Sequence, residues 1–204
     1  FFSTPTPAYP MLRSLVGSEM CIRDRQKNNQ KNPQNKKASS PTEFIRQWID
    51  DFVTKPNPVF GDLPPCPFAR KAIIENKVTF LELDGVASYP TLYQHITEVD
   101  FEEIDVLCMI AQPDQFTASE TEKLAKDLNG YFMNRDVVVL EDHPDTPESV
   151  KGVKLNNGHY ILFLAQSLSK LNRFSKILEA GPYYKNWSKD YLGSVKGFRE
   201  RKSQ

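Results

Sequence analysis

Two side chains in this sequence offer chemistry. Cys66 lies in Leu63-Pro64-Pro65-Cys66-Pro67-Phe68-Ala69-Arg70, with prolines on both sides and a helix expected to begin at Pro67. A thiol at a helix start meets unpaired N–H groups and the positive end of the helix dipole. Both favour the thiolate, so the expectation is a lowered pKa and a nucleophile. The competing reading is a small buried apolar residue, which is common for free cysteine. His143 lies in Glu141-Asp142-His143-Pro144-Asp145, just after an expected strand. The carboxyl ends of parallel strands are where α/β sheets place ligand sites, and an imidazole among carboxylates is suited to general base work or metal ligation. A solvated loop residue is the alternative. Cys66 and His143 are therefore the candidate catalytic residues.

The remaining candidates read as structural. Cys108 lies inside an apolar run and is expected to be packed in the core. His95 falls beside Gln94 on the polar side of a helix, and His159 opens a strand after a turn. No His/Cys spacing suits zinc, and HExxH, GxGxxG, P-loop and GxSxG patterns are absent, so no metal site is expected and no cofactor is named.

The net charge of zero hides an asymmetry. Residues 1–41 hold seven Lys/Arg and two acids, which leaves 19 basic and 24 acidic residues in 42–204. A mildly acidic body does not suit nucleic acid, which selects a basic face. No apolar run approaches the roughly 20 residues that span a bilayer. The expected partner is thus a small molecule or a protein. Three cysteines make no disulfide framework, which points to a reducing, cytoplasmic setting.

The elements that must position these residues follow from periodicity and caps. Ser40-Pro41-Thr42-Glu43 is a capping box with proline at the first helical position, and Phe44, Ile45, Trp48, Ile49, Phe52 and Val53 form one helical stripe behind it. Lys55-Pro56-Asn57-Pro58 ends that helix. After the Cys66 helix, expected over 67–75, strands are expected at 78–83, 104–111, 136–141 and 159–166. Helices are expected from Tyr89 or Pro90 to Val99, from the Thr117-Ala118-Ser119-Glu120 box to Met133, and over 167–180. Residues 142–157 read as a polar loop. Tyr183, Tyr184, Trp187 and Tyr191 are expected to pack back onto the body. The order ααβαβαββα predicts an α/β fold: a four-stranded mixed, largely parallel sheet with helices packed on it, the pair 136–141 and 159–166 being open to an antiparallel arrangement.

Domain organisation follows. Residues 1–25 lack periodicity, and Arg13–Arg25 resembles translated sequencing-adaptor read-through, so this stretch is expected to be non-native and disordered. Residues 26–39 form an Asn/Gln/Lys-rich tract expected to be disordered. Residues 40–195 make one α/β domain, and 196–204 a frayed charged tail.

The Cys66-Pro67-Phe68-Ala69 helix start, Trp48 on the preceding helix, the strand 105–112 ending at Pro113, and His143-Pro144 after a later strand together resemble an uncharacterised bacterial family, domain of unknown function 1415. The resemblance spans roughly 44–180. It departs after His143, where Asp145-Thr146-Pro147-Glu148 replaces an aromatic-rich run. It implies a layout and no activity. Cys66 followed by a helix and the strand 78–83 is also similar to glutathione-transferase-like and glutaredoxin-like folds. Ala69 stands where a second active-site cysteine would be, so that likeness implies a monothiol and not a dithiol.

Two functional readings remain open from the sequence. One is a monothiol enzyme or redox protein using Cys66 with His143 nearby. The other is a non-catalytic binding or assembly module whose contact surface is the aromatic segment at 183–191.

Overall fold

The computed structural model describes residues 40–85 and 87–200. The expectations for 1–25 and 26–39 lie outside the described residues.

Both capping boxes form. Ser40 Oγ accepts the Glu43 N–H while the Glu43 carboxylate accepts the Ser40 N–H, which opens α1 (Pro41–Trp48). The helix continues as a π-helical turn over Ile49–Val53. Thr117 and Glu120 repeat the device at α4 (Ala118–Phe132). Between them lie α2 (Ala69–Ile74), β1 (Val78–Glu82), α3 (Tyr89–Thr97) and β2 (Val106–Ala111). After α4 come β3 (Val137–Asp142), the two-residue strands β4 (Ser149–Val150) and β5 (Val153–Lys154), β6 (Ile161–Ser167) and α5 (Leu168–Glu179). The chain closes with α6 (Lys189–Leu192), a π-helical turn over Gly193–Gly197 and α7 (Phe198–Glu200).

The α/β fold with a four-stranded mixed sheet holds, in the order β1-β2-β6-β3. The expectation of largely parallel pairing is corrected. Only β1 and β2 pair in parallel; β6 inserts between β2 and β3 and runs antiparallel to both. Strands β1, β2 and β3 still point the same way. The reversed strand separates β3 from the other two because β6 returns directly from β3 through a loop, without a crossover helix. The 142–157 loop also carries an unexpected hairpin, β4 with β5, turning at Lys151-Gly152 with both residues at positive φ.

Alternation in the strands divides the core. Leu107, Met109, Val139 and Phe163 face α3 and α4, meeting Leu92, Ile96, Leu128 and Phe132. Cys108, Ile110 and Leu162 face α1 through Ile45, Phe44 and Trp48. Val138 packs against Leu168 at the start of α5, with Leu171 and Phe198 at the margin. Asn129 is the polar exception on α4. Its amide donates to the Val139 carbonyl (2.7 Å) and accepts the Val139 N–H (2.8 Å), binding the helix to the backbone of edge strand β3.

A third cluster lies outside the sheet. Phe60, Val150 and Tyr183 are buried, with Tyr184, Trp187 and Tyr191 packed around them. The aromatic segment thus packs onto the body as expected. Of the tail expected to fray over 196–204, α7 reaches Glu200, Lys196 pairs with Glu179 and buried Arg199 donates to Ser175, while 201–204 lie outside the described residues. Among the described residues, no helix is long and apolar enough to cross a membrane.

Candidate functional site

Cys66 lies three residues before α2, in the turn that leads to its cap at Phe68. The helix begins at Ala69, later than Pro67, because its first closed bond comes from Ala72 N–H to the Phe68 carbonyl. The Cys66 N–H is held by the Val53 carbonyl at 3.0 Å, which ties the turn to the end of the first helix. On the far side, Phe68 stacks on Phe174 of α5 at 4.1 Å between centroids.

The expected drop in thiol pKa is reversed. Burial pushes the Cys66 thiol up from its ordinary value; the N–H groups of Phe68 and Ala69, directed at the sulfur, pull it down by less. The residue keeps some exposed surface, but the thiol sits among protein atoms. One of those neighbours is Tyr183. Its hydroxyl donates to the Pro65 carbonyl, and its own pKa is raised by burial first and by the nearby Cys66 second. Local sequence supplied the N–H donors. It did not supply Tyr183, which reaches the neighbouring Pro65 carbonyl from far along the chain.

His143 is also used differently from the expectation. It is 2% exposed. Its Nε2 lies 2.9 Å from the Phe116 carbonyl, and its Nδ1 accepts the Asp145 N–H at 3.1 Å. A neutral ring protonated on Nε2 satisfies both contacts, and neither nitrogen is left for a substrate or a metal. His143 pins the end of β3 to the segment leading into α4. The partners of Cys66 come from the first helix, α2 and the C-terminal segment, and the partners of His143 share none of them. Each residue is thus held by its own set of elements.

The other candidates are placed as read. Cys108 is 3% exposed, and its thiol is pushed up to about 12 by burial, with Asp142 adding to the effect. His159 packs against Phe44 at 4.4 Å between rings. His95 lies 3.9 Å from Glu98 on the outside of α3. Among the described residues, no three His, Cys, Asp or Glu side chains group as metal ligands.

Sequence reasoning passed over a carboxylate group beside His143. Glu141 is pushed up to about 7 by burial first, then by Glu148, Asp142 and Glu122. Asp142 is pushed up by burial against two bonds from Asn157, whose N–H and amide both reach Oδ2 at 3.1 and 2.7 Å. Its other oxygen, Oδ1, is buried with no partner. Glu148 is raised by burial and by Asp142, and accepts the Tyr191 hydroxyl at 3.2 Å. The signal was available: two acids end an apolar strand, and a third follows in the loop. An open depression of 370 Å³ lies elsewhere, lined by Asp50, Thr54, Lys55, Arg70, Ile73 and Ile74, and includes none of these groups.

No family model, curated protein or solved structure matches the chain.

Proposed function

We propose that the domain works through Cys66 as a monothiol that forms a persistent mixed disulfide with a low-molecular-weight disulfide. The observation that carries this reading is the setting of the sulfur. It is enclosed enough to raise its pKa, yet two backbone N–H groups point at it and stabilise the thiolate when that forms. Cys108 is buried in the sheet and its thiol is pushed up to about 12. In the step, the Cys66 thiolate attacks one sulfur of the small disulfide. A new S–S bond forms to Cys66, the original S–S bond breaks, and the departing thiolate takes up the proton that Cys66 released to water. A high-pKa thiol attacks well once ionised but is a poor leaving group, so the adduct resists displacement. That favours stoichiometric capture over rapid turnover, and His143 acts in it only by shaping a loop.

The rings that would have served an assembly surface at 183–191 are occupied in the domain's own third cluster, which favours the thiol reading over the binding module. The cytoplasmic setting belongs to the same proposal, supported by the free thiols at Cys66 and Cys108. So do the absence of a nucleic-acid partner, supported by the acid excess of 42–204, and kinship with the domain of unknown function 1415, supported by Cys66-Pro67-Phe68-Ala69 and the strand layout.

Oxidised glutathione serves as the probe. Incubation of the full chain at pH 7 and pH 9, followed by peptide mapping, is expected to place one glutathione on Cys66, slowly at pH 7 and at least about tenfold faster at pH 9, as thiolate supply dictates. An adduct absent from Cys66 at both pH values overturns the reading.

A further inference from the structure

The C-terminal segment meets the Cys66 loop at successive points. Pro182 lies against Gly61, a residue at φ +67° where an added Cβ would stand 2.5 Å from the proline Cγ. The Tyr183 hydroxyl donates to the Pro65 carbonyl. The Asn186 amide donates to the Val59 carbonyl at 2.7 Å. The same segment is tied at its far end to a different part of the fold. The Tyr191 hydroxyl donates to Glu148, in the loop that leads into the β4–β5 hairpin.

We propose that residues 182–191 form a strap that sets the accessibility of Cys66, with the Tyr191–Glu148 bond as its latch. The proposal rests on Cys66 being the working thiol. Tyr183 is the covering side chain and a positioning residue, because it holds the carbonyl next to the thiol. The latch is weaker than the rest of the strap. Its polar anchor is one hydrogen bond to a carboxylate that Asp142 and Glu141 crowd, and its ring packs only at the margin of the cluster, whereas Tyr183 is buried. Local opening therefore starts at Tyr191, uncovering the Cys66 turn while the sheet stays closed.

The chain carries its own control. Cys108 lies in β2 and is released only when the sheet unfolds. Iodoacetamide labelling of the full chain, resolved by peptide, gives both rates in one sample. Tyr191→Phe keeps the ring stacked on Trp187 (5.1 Å between centroids) and removes only the latch bond. It is expected to speed Cys66 labelling about fivefold, the equivalent of one hydrogen bond, and to leave Cys108 unchanged. Glu148→Gln keeps an acceptor for Tyr191 and removes a crowded charge, so it is expected to leave Cys66 at its original rate or slow it. Cys66 labelling that is unchanged in Tyr191→Phe, or that rises only in step with Cys108, overturns the strap. A chain whose labelling responds to Tyr191→Phe but which forms no glutathione adduct keeps the strap and loses the mixed-disulfide reading. A chain that forms the adduct at a rate indifferent to both variants does the reverse.

Discussion

Phe60→Ala is expected to cost about 3–5 kcal/mol, the range for emptying a fully buried aromatic site. Phe60 has no exposed surface. It is set there by a short 3₁₀ turn over Pro58–Phe60, opened by the Asn57 side chain accepting the Val59 N–H at 2.9 Å and closed by left-handed Gly61. Its ring meets Tyr183 at 5.7 Å and Trp187 at 6.3 Å, with Val150 of the hairpin in the same cluster. The loop before Cys66, the hairpin and the C-terminal segment all meet at this ring. None of them can close the gap alone, since the other rings are already fixed against each other. A domain of this kind has about 5–15 kcal/mol in all, so the loss is a large share of it. Urea unfolding measures it, with Ile74→Ala as the control: Ile74 is 69% exposed, and its truncation should fall within about 0.5 kcal/mol of the parent. A cost below about 1 kcal/mol for Phe60→Ala would mean that the third cluster is ornament and not core.

Glu141→Gln should have the opposite sign at neutral and alkaline pH. Glu141 lies at the end of edge strand β3, enclosed and beside Glu148, Asp142 and Glu122, and its pKa is raised to about 7. In the unfolded chain it returns to the ordinary glutamate value, near 4.3. The folded state therefore binds more protons than the unfolded state between these limits. Stability is fully present below about pH 4, falls as pH rises through about 7, and has lost the whole contribution above that. A shift of this size corresponds to about 4 kcal/mol at most. Partial exposure reduces it to about 1–2 kcal/mol. Glutamine keeps the shape and removes the charge, so the variant is expected to be more stable than the parent at pH 8 by that amount. Its stability should also fall less between pH 4 and 7. The decline should not vanish, because Asp142 and Glu148 are raised as well. Denaturant midpoints across pH 4–9 read both effects. A variant less stable than the parent at pH 8, or as steep between pH 4 and 7, contradicts this placement of Glu141.

What could be read from the sequence was local. Ser40/Glu43 and Thr117/Glu120 announced two helices because a capping box involves only four residues, and both boxes form. The apolar run at 104–111 announced a strand buried on both faces; it forms over 106–111 and has helices on each face. Strand direction was not local. The reversal of β6 depends on which neighbours it finds, and Ile161–Ser167 would look the same in a parallel sheet. The hairpin was missed because two-residue strands have no periodicity. Its one signal was a glycine-bearing pair, Lys151-Gly152, between valines at 150 and 153.

The site divides in the same way. The position of Cys66 and the donors after it were legible, because prolines and helix starts act on adjacent residues. The direction of its pKa was not, since it is decided by burial, which depends on how distant parts of the chain pack and not on the neighbouring residues. His143 looked like a base because its neighbours in sequence are acids. Its partners in space are the Phe116 carbonyl and the Asp145 N–H, and these make it a fastener. The carboxylates themselves are the groups pushed up, and burial is the first cause in each.

Cys66 is proposed as a working thiol that enclosure keeps in its protonated form. The direct measurement is the pH profile of its alkylation in the folded full chain, resolved from Cys108 and from Cys21 by peptide. A midpoint above about 8.5, the free-cysteine value, is expected, with Cys66 nearly silent at pH 7. A midpoint at or below that value would show a thiolate stabilised at neutral pH and would contradict it.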